Sequence, residues 1–149
     1  MTRDNVTLNI RPYRNADLPD LVRIWVEHWS TAGPPPYVNQ AKFEQAVLAR
    51  TFFDPETLLV SEAEGSVTGW CHFAPPHCDP SHEDGNVTVV HALCLASSSD
   101  DAVALRLLAA IESAPQSTSH IRIGLVRDDQ RGYAGLEPIG FGIGIPLSD

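Results

Sequence analysis

Residues 86–127 carry the pattern that most restricts the fold: a β-branched run, an amphipathic helix, then a second apolar run. Asn86 to Leu95 contains Val87, Thr88, Val89 and Val90 and reads as a buried strand. Ser97 to Ser99 offer capping oxygens for a helix from about Asp100 to Ser113. Its Val103, Leu107, Leu108 and Ile111 recur at helical spacing and should face inward. His120 to Val126 then reads as a strand. A strand, a helix and a strand in this order close as a right-handed crossover, with the two strands parallel and adjacent.

The segments before it are joined by short turns and should be antiparallel. Val6, Leu8 and Ile10 alternate with polar residues, which predicts a strand with one buried face, ended by Arg11-Pro12. Asn15 or Asp17 is placed to cap a helix carrying Leu18, Leu21, Val22, Trp25, Val26 and Trp29. Gly33 and Pro34 to Pro36 stop it. Asn39 caps a second helix with Phe43, Val47 and Phe52, broken at Asp54-Pro55. Leu58 to Val60 begins a strand, Ala63-Glu64-Gly65-Ser66 turns it, and Val67 to Ala74 returns as its hairpin partner. From Asp128 the chain is glycine-rich and irregular. The order β-α-α-β-β-β-α-β predicts an α/β (α+β) mixed sheet with helices on its faces.

A length of 149 residues suits one domain. Nineteen acidic residues against ten basic give a net charge of −9. Nucleic acid and anionic membrane surfaces select a basic face, so neither is an expected partner. No apolar run reaches the length of a membrane span, and Met1 to Asn5 lack the apolar core of a signal peptide. Three cysteines, Cys71, Cys78 and Cys94, cannot all pair within one chain, which points to reduced thiols and a cytoplasmic setting.

Several residues now read together. Ile10-Arg11-Pro12-Tyr13 precedes Asp17 and the Leu21/Trp25 helix. Leu59-Val60-Ser61-Glu62 leads to Gly69-Trp70, and Ala92-Leu93-Cys94-Leu95 precedes a helix ending Leu107-Leu108-Ala109-Ala110-Ile111-Glu112. In this order they resemble the GCN5-related N-acetyltransferase (GNAT) superfamily over about residues 8–127. The resemblance implies an acyl-CoA N-acyltransferase-like fold, with acetyl-CoA as donor and a small-molecule or peptide amine as acceptor. It also implies a further helix and hairpin after the fifth strand, which this chain is expected to stop short of. The single domain is therefore expected to be incomplete at its C-terminus, with residues 1–127 as recognisable core and 128–149 as tail. An open fifth-strand edge would then favour a homodimer or a second module of the same kind. The alternative is a non-catalytic module, half of a degenerate tandem or a partner-binding domain.

Site residues follow from the same resemblance. The donor's pantetheine arm would lie on the backbone of Leu93, Cys94 and Leu95, where the fourth strand splays from the fifth. Its pyrophosphate would meet N–H groups at the next helix, where the dipole favours anions. The family's Gln/Arg-x-x-Gly-x-Gly/Ala register falls on Ser99 to Ala104. Ser99 takes the leading position, Ala102 the first glycine, and Val103 and Ala104 complete the set. Asp100 and Asp101 sit where phosphates would lie. Two unit charges about 6 Å apart repel by roughly 2.8 kcal/mol at an effective dielectric constant of 20. The expectation is a turn that fills its own anion site with carboxylates.

For the chemistry, His91 is the one imidazole in Val89 to Leu95, a side-chain type suited to proton transfer near neutral pH. It is the candidate base, or else a histidine packed on the sheet. Glu62 is a second candidate base, or a solvent-facing carboxylate. Tyr133 stands where the resemblance expects an acid, although Arg131 to Gly142 is glycine-rich, carries Pro138 and is poor helix material. Cys71-His72, His77-Cys78 and His82 raise a zinc reading. The spacing is wrong for it, and Cys71 and His72 point to opposite faces of a strand, so no metal site is expected. Trp25, Trp29 and Trp70 are expected in the core or a cleft wall.

Overall fold

The computed structural model describes residues 6–31, 37–49, 53–74, 87–115 and 120–123. Five strands form one sheet in the order β1-β2-β3-β4-β5: Leu8–Pro12, Leu58–Ala63, Ser66–Ala74, Val87–Leu95 and His120–Ile123. Every neighbouring pair is antiparallel except β4 and β5, which are parallel. Helix α3, Asp101–Glu112, lies between those two strands in sequence, as the crossover requires.

Two side-chain clusters cover the two faces. On one, α1 (Leu18–Ser30) and α2 (Gln40–Phe43) bury Leu21, Ile24, Trp25 and Phe43 against Leu58, Val60, Trp70, Ala92 and Cys94. On the other, α3 buries Val103, Leu107 and Ile111 against Leu59, Cys71, Phe73 and Val90. Trp70 is the hub of the first face. Its ring stacks on Trp25 at 6.0 Å, meets the edge of Phe43 at 5.7 Å, and its Nε1–H donates to the Leu21 carbonyl at 3.2 Å. That bond satisfies the one polar atom of a fully buried indole.

Local chemistry explains the boundaries. Glu64 and Gly65 both take positive φ, 51° and 77°, the two-residue turn whose twist matches a β-hairpin. Asn39 caps α2 by accepting from the Lys42 N–H at 2.8 Å, and the helix widens into a π-turn over Glu44–Leu48 that buries Val47.

The structure departs from the sequence expectation at three element ends. Val6 is exposed, and β1 starts at Leu8 because Leu8 already pairs with Ala63, the last residue of β2. Asn15–Asp17 form a separate 3-10 turn, and Asp17 stands at the N-cap position of α1 without a capping bond from its side chain. Its buried carboxylate turns back to the Arg11 guanidinium and the Arg14 N–H instead. The cap of α3 is Asp100, not Ser97 to Ser99; Ser97 bonds to Glu27 and Ser99 to the Thr68 carbonyl.

Candidate active site

The third and fourth strands do not pair evenly. His72 opposes Ala92, but the next residue, Phe73, opposes Val90, so β4 carries one extra residue at His91. In a regular strand Val90, Ala92 and Cys94 would share a face. Here Val90 packs on the α3 side while Ala92 and Cys94 pack on the α1 side. The bulge re-aims the strand and brings the His91 ring beside His72, with centroids 5.6 Å apart and a tilt of 55°. Phe53 closes on His72 edge-on at 5.7 Å. Burial, with His91 adding to it, pushes the His72 imidazole down to about 3. Nδ1 of His91 is buried. Cys71, next to His72, lies on the α3 side, so the opposite orientation expected of that pair holds.

A second bulge shapes the turn into α3. Ser61 opposes Gly69 and Glu62 opposes Val67, which leaves Thr68 as the extra residue. The Thr68 carbonyl accepts from the Ala96 N–H at 2.9 Å and from the Ser99 hydroxyl at 2.6 Å. Gly69 is required there, because a Cβ would meet the Cys94 carbonyl oxygen at 3.0 Å. At the helix start, Asp100 Oδ1 accepts from the Ala102 N–H at 3.1 Å. Glu27 reaches across from α1 to accept from the Ser97 N–H at 3.1 Å.

The other sequence candidates fall as follows. Leu93 and Leu95 pack toward α3 and Cys94 toward α1. β3 pairs with one side of β4 from Val89 to Leu95. On the other side the described pairing with β5 covers Val87 to Val90. Val103 is buried in the α3 core, while Ser99, Ala102 and Ala104 lie at or just inside the helix start. Glu62 is not a free base, since its Oε2 accepts from Arg11 Nη2 at 2.9 Å and Nε at 3.0 Å. Trp25 and Trp70 are core and Trp29 packs against them. Tyr133, His77, Cys78, His82, Pro34 to Pro36 and the tail from Asp128 lie outside the described residues. A cavity of about 290 Å³ opens between β1, β2 and the C-terminal end of α3, lined by Arg11, Glu56 and Ala114 among others. It contains neither the histidine pair nor the helix start.

His72 and Glu27 are the residues that sequence reading missed. His72 was visible only as one member of a cysteine–histidine cluster. Its meeting with His91 depends on the bulge, and Glu27 meets Ser97 from a distant helix; neither leaves a local signal.

No sequence-family profile matches the chain, and no curated protein sequence matches it. Solved structures do. A GNAT family acetyltransferase from Brucella melitensis, in complex with acetyl-CoA, superposes with a TM-score of 0.51 at 17% identity, over 70% of this chain and 65% of that one. Diaminobutyrate acetyltransferase from Paenibacillus lautus, with L-2,4-diaminobutyric acid and coenzyme A, gives 0.55 at 16% identity, over 85% and 70%. An aminoglycoside N-acetyltransferase in complex with CoA gives 0.58 at 13% identity, over 87% and 84%. This chain spans 65% of the Brucella protein's length. The sheet order, the parallel β4–β5 pair and the helix between them are the GNAT, acyl-CoA N-acyltransferase-like fold.

Proposed function

We propose that this chain, built on the GNAT fold, is an acyltransferase that moves an acyl group from a pantetheine thioester to an amine. The observation that carries this reading is the bulge in β4, which sets His91 beside His72 on the face covered by α1 and α2. Solved proteins of this fold hold acetyl-CoA or CoA, and acetyl-CoA is the first donor to test. A small-molecule amine is the acceptor class we assign. Two neighbours bear names of amine acetylation, on diaminobutyrate and on an aminoglycoside. A net charge of −9 also draws cationic amines toward the protein.

In this reading the donor supplies an activated acyl carbon. As the new C–N bond forms and the C–S bond breaks, the amine sheds one proton and the thiolate gains one. We assign His91 to take the amine's proton, through Nε2 because Nδ1 is buried. His72, held neutral by its burial, lies against His91 without adding charge. Leu93 to Leu95 are assigned the pantetheine arm through their backbone, and Tyr133 stays the assigned acid for the thiolate.

The test is thiol release from acetyl-CoA in the presence of a panel of diamines, aminosugars and lysine peptides. Replacing His91 with Ala should slow the reaction by about 10²–10⁴-fold, the range for a lost general base. Absence of thiol release with every amine would sink the reading. One feature favours a second reading, a module without catalysis: the Ser97 and Ala102 N–H groups of the α3 turn are occupied by the chain's own carboxylates. Donor binding without turnover would select it.

A further inference from the structure

The start of α3 is where this fold would offer backbone N–H groups to an anion, because a helix begins there. In this chain four of those donors, the N–H groups of Ser97, Ser99, Ala102 and Val103, are spent internally. The Ser97 N–H and hydroxyl both donate to Glu27 Oε2, at 3.1 and 3.3 Å. The Ala102 N–H donates to Asp100 Oδ1 at 3.1 Å. The Val103 N–H donates to the Asp100 carbonyl at 3.1 Å, and the Ser99 N–H to the Ala96 carbonyl at 2.9 Å. The Ser99 hydroxyl is bound to the Thr68 carbonyl.

Glu27 is held firmly in this role. Arg23 Nη1 lies 2.9 Å from its other oxygen. The Ser97 N–H bond draws its carboxyl below the usual range, so it is ionised at neutral pH. No glycine occurs from Ala96 to Ala104, so every position carries a Cβ where a close approach would be needed. Asp101 adds a third carboxylate, exposed in the first turn of α3. These residues do not fit a diphosphate.

We propose that Glu27 and Asp100 are specificity determinants that close the α3 turn to a diphosphate, so that a donor is held by its acyl-pantetheine arm alone. The proposal rests on the acyltransferase reading and narrows its donor class to acyl thioesters of pantetheine, whatever is attached beyond the arm. A diphosphate entering this turn must displace hydrogen bonds to carboxylates, which are the strong kind. It must also approach like charges at short range. The pantetheine arm carries no charge and needs only the amide groups of a strand.

Calorimetry on the full chain with acetyl-CoA, S-acetylpantetheine and 3′,5′-ADP separates the contributions of the two halves. The two thioesters should bind within about threefold of each other, a difference well under one tenfold step in affinity. 3′,5′-ADP should not compete with either. Acetyl-CoA binding more than about 30-fold tighter than S-acetylpantetheine overturns the proposal. In a companion titration, pyrophosphate at about 10 mM should leave the amide resonances of Ser97 and Ala102 in place, since both N–H groups already hold charge-assisted bonds. Saturable shifts of those amides overturn it too. The double variant Glu27→Gln with Asp100→Asn should tighten acetyl-CoA by about tenfold and leave S-acetylpantetheine unchanged. An unaltered acetyl-CoA affinity in that variant refutes the role of the two carboxylates. If neither thioester binds and pyrophosphate leaves both amides unmoved, the closed turn stands and the acyltransferase reading is what fails.

Discussion

The rings of His72 and His91 lie 5.6 Å apart on neighbouring strands, brought to one face by a single extra residue in β4. Burial keeps His72 neutral, pushed down to about 3 with His91 contributing. In the unfolded chain a histidine titrates near 6.5. Between those values the unfolded state binds more protons, so stability is full above about pH 6.5 and falls as the pH drops toward 3. Urea melts at pH 7.5 and 5.0 should show that loss, and His72→Gln should flatten it. A slope that is unchanged in the variant would assign the acid sensitivity to other groups.

Arg11 joins three pieces of chain. Its guanidinium grips both Asp17 oxygens, at 2.7 and 2.8 Å, and reaches Glu62 on β2 at 2.9 Å. Burial would raise the Asp17 carboxyl, but Arg11 and the Arg14 N–H outweigh it and hold it below the ordinary value. Arg11→Met strands a buried carboxylate and should cost about 3–5 kcal/mol. For a group held low in this way, the contribution is complete above about pH 4 and vanishes as acid titrates the folded carboxyl. Chemical melts of Arg11→Met and wild type should therefore differ most at neutral pH and converge in strong acid. A neutral-pH difference under about 1 kcal/mol would mean Asp17 has found water.

At Gly69 the sheet leaves no room. An added Cβ would lie 3.0 Å from the Cys94 carbonyl oxygen, 3.0 Å from Leu95 Cδ2 and 3.2 Å from Ser61 Oγ. The first of these is backbone in a paired ladder and cannot retreat. Gly69→Ala should lose about 1–3 kcal/mol, the usual penalty for overpacking. Thermal melting would register it as a drop of several degrees, and an unchanged midpoint would contradict the fit described.

Cys71 and Cys94 are both buried. Burial pushes the Cys71 thiol up to about 12 and raises Cys94 as well, so neither forms the reactive thiolate at pH 8. Mass spectrometry after brief treatment with iodoacetamide should find both unmodified in native protein and modified in urea. Rapid labelling of either one without denaturant would show that its cluster opens.

Much of the architecture was legible along the chain. The Glu64-Gly65 turn, the periodicity of Leu21, Val22 and Trp25, and the valine run before α3 each reflect a local preference of the backbone. Together they implied the mixed sheet and the parallel β4–β5 pair that the structure has. The α3 cap was half legible: Asp100 accepts from the Ala102 N–H, while of the serines expected to cap the helix Ser99 is held by Thr68 and Ser97 by Glu27.

What the amino-acid order determined by itself is the set of elements and their pairing directions, because periodicity, turn residues and linker length act over a few neighbouring positions. Only the tertiary structure decided that His91 stands beside His72 and that Glu27 reaches Ser97. One extra residue in a strand sends the side chains that follow to the other face. A contact between residues far apart depends on how whole layers pack.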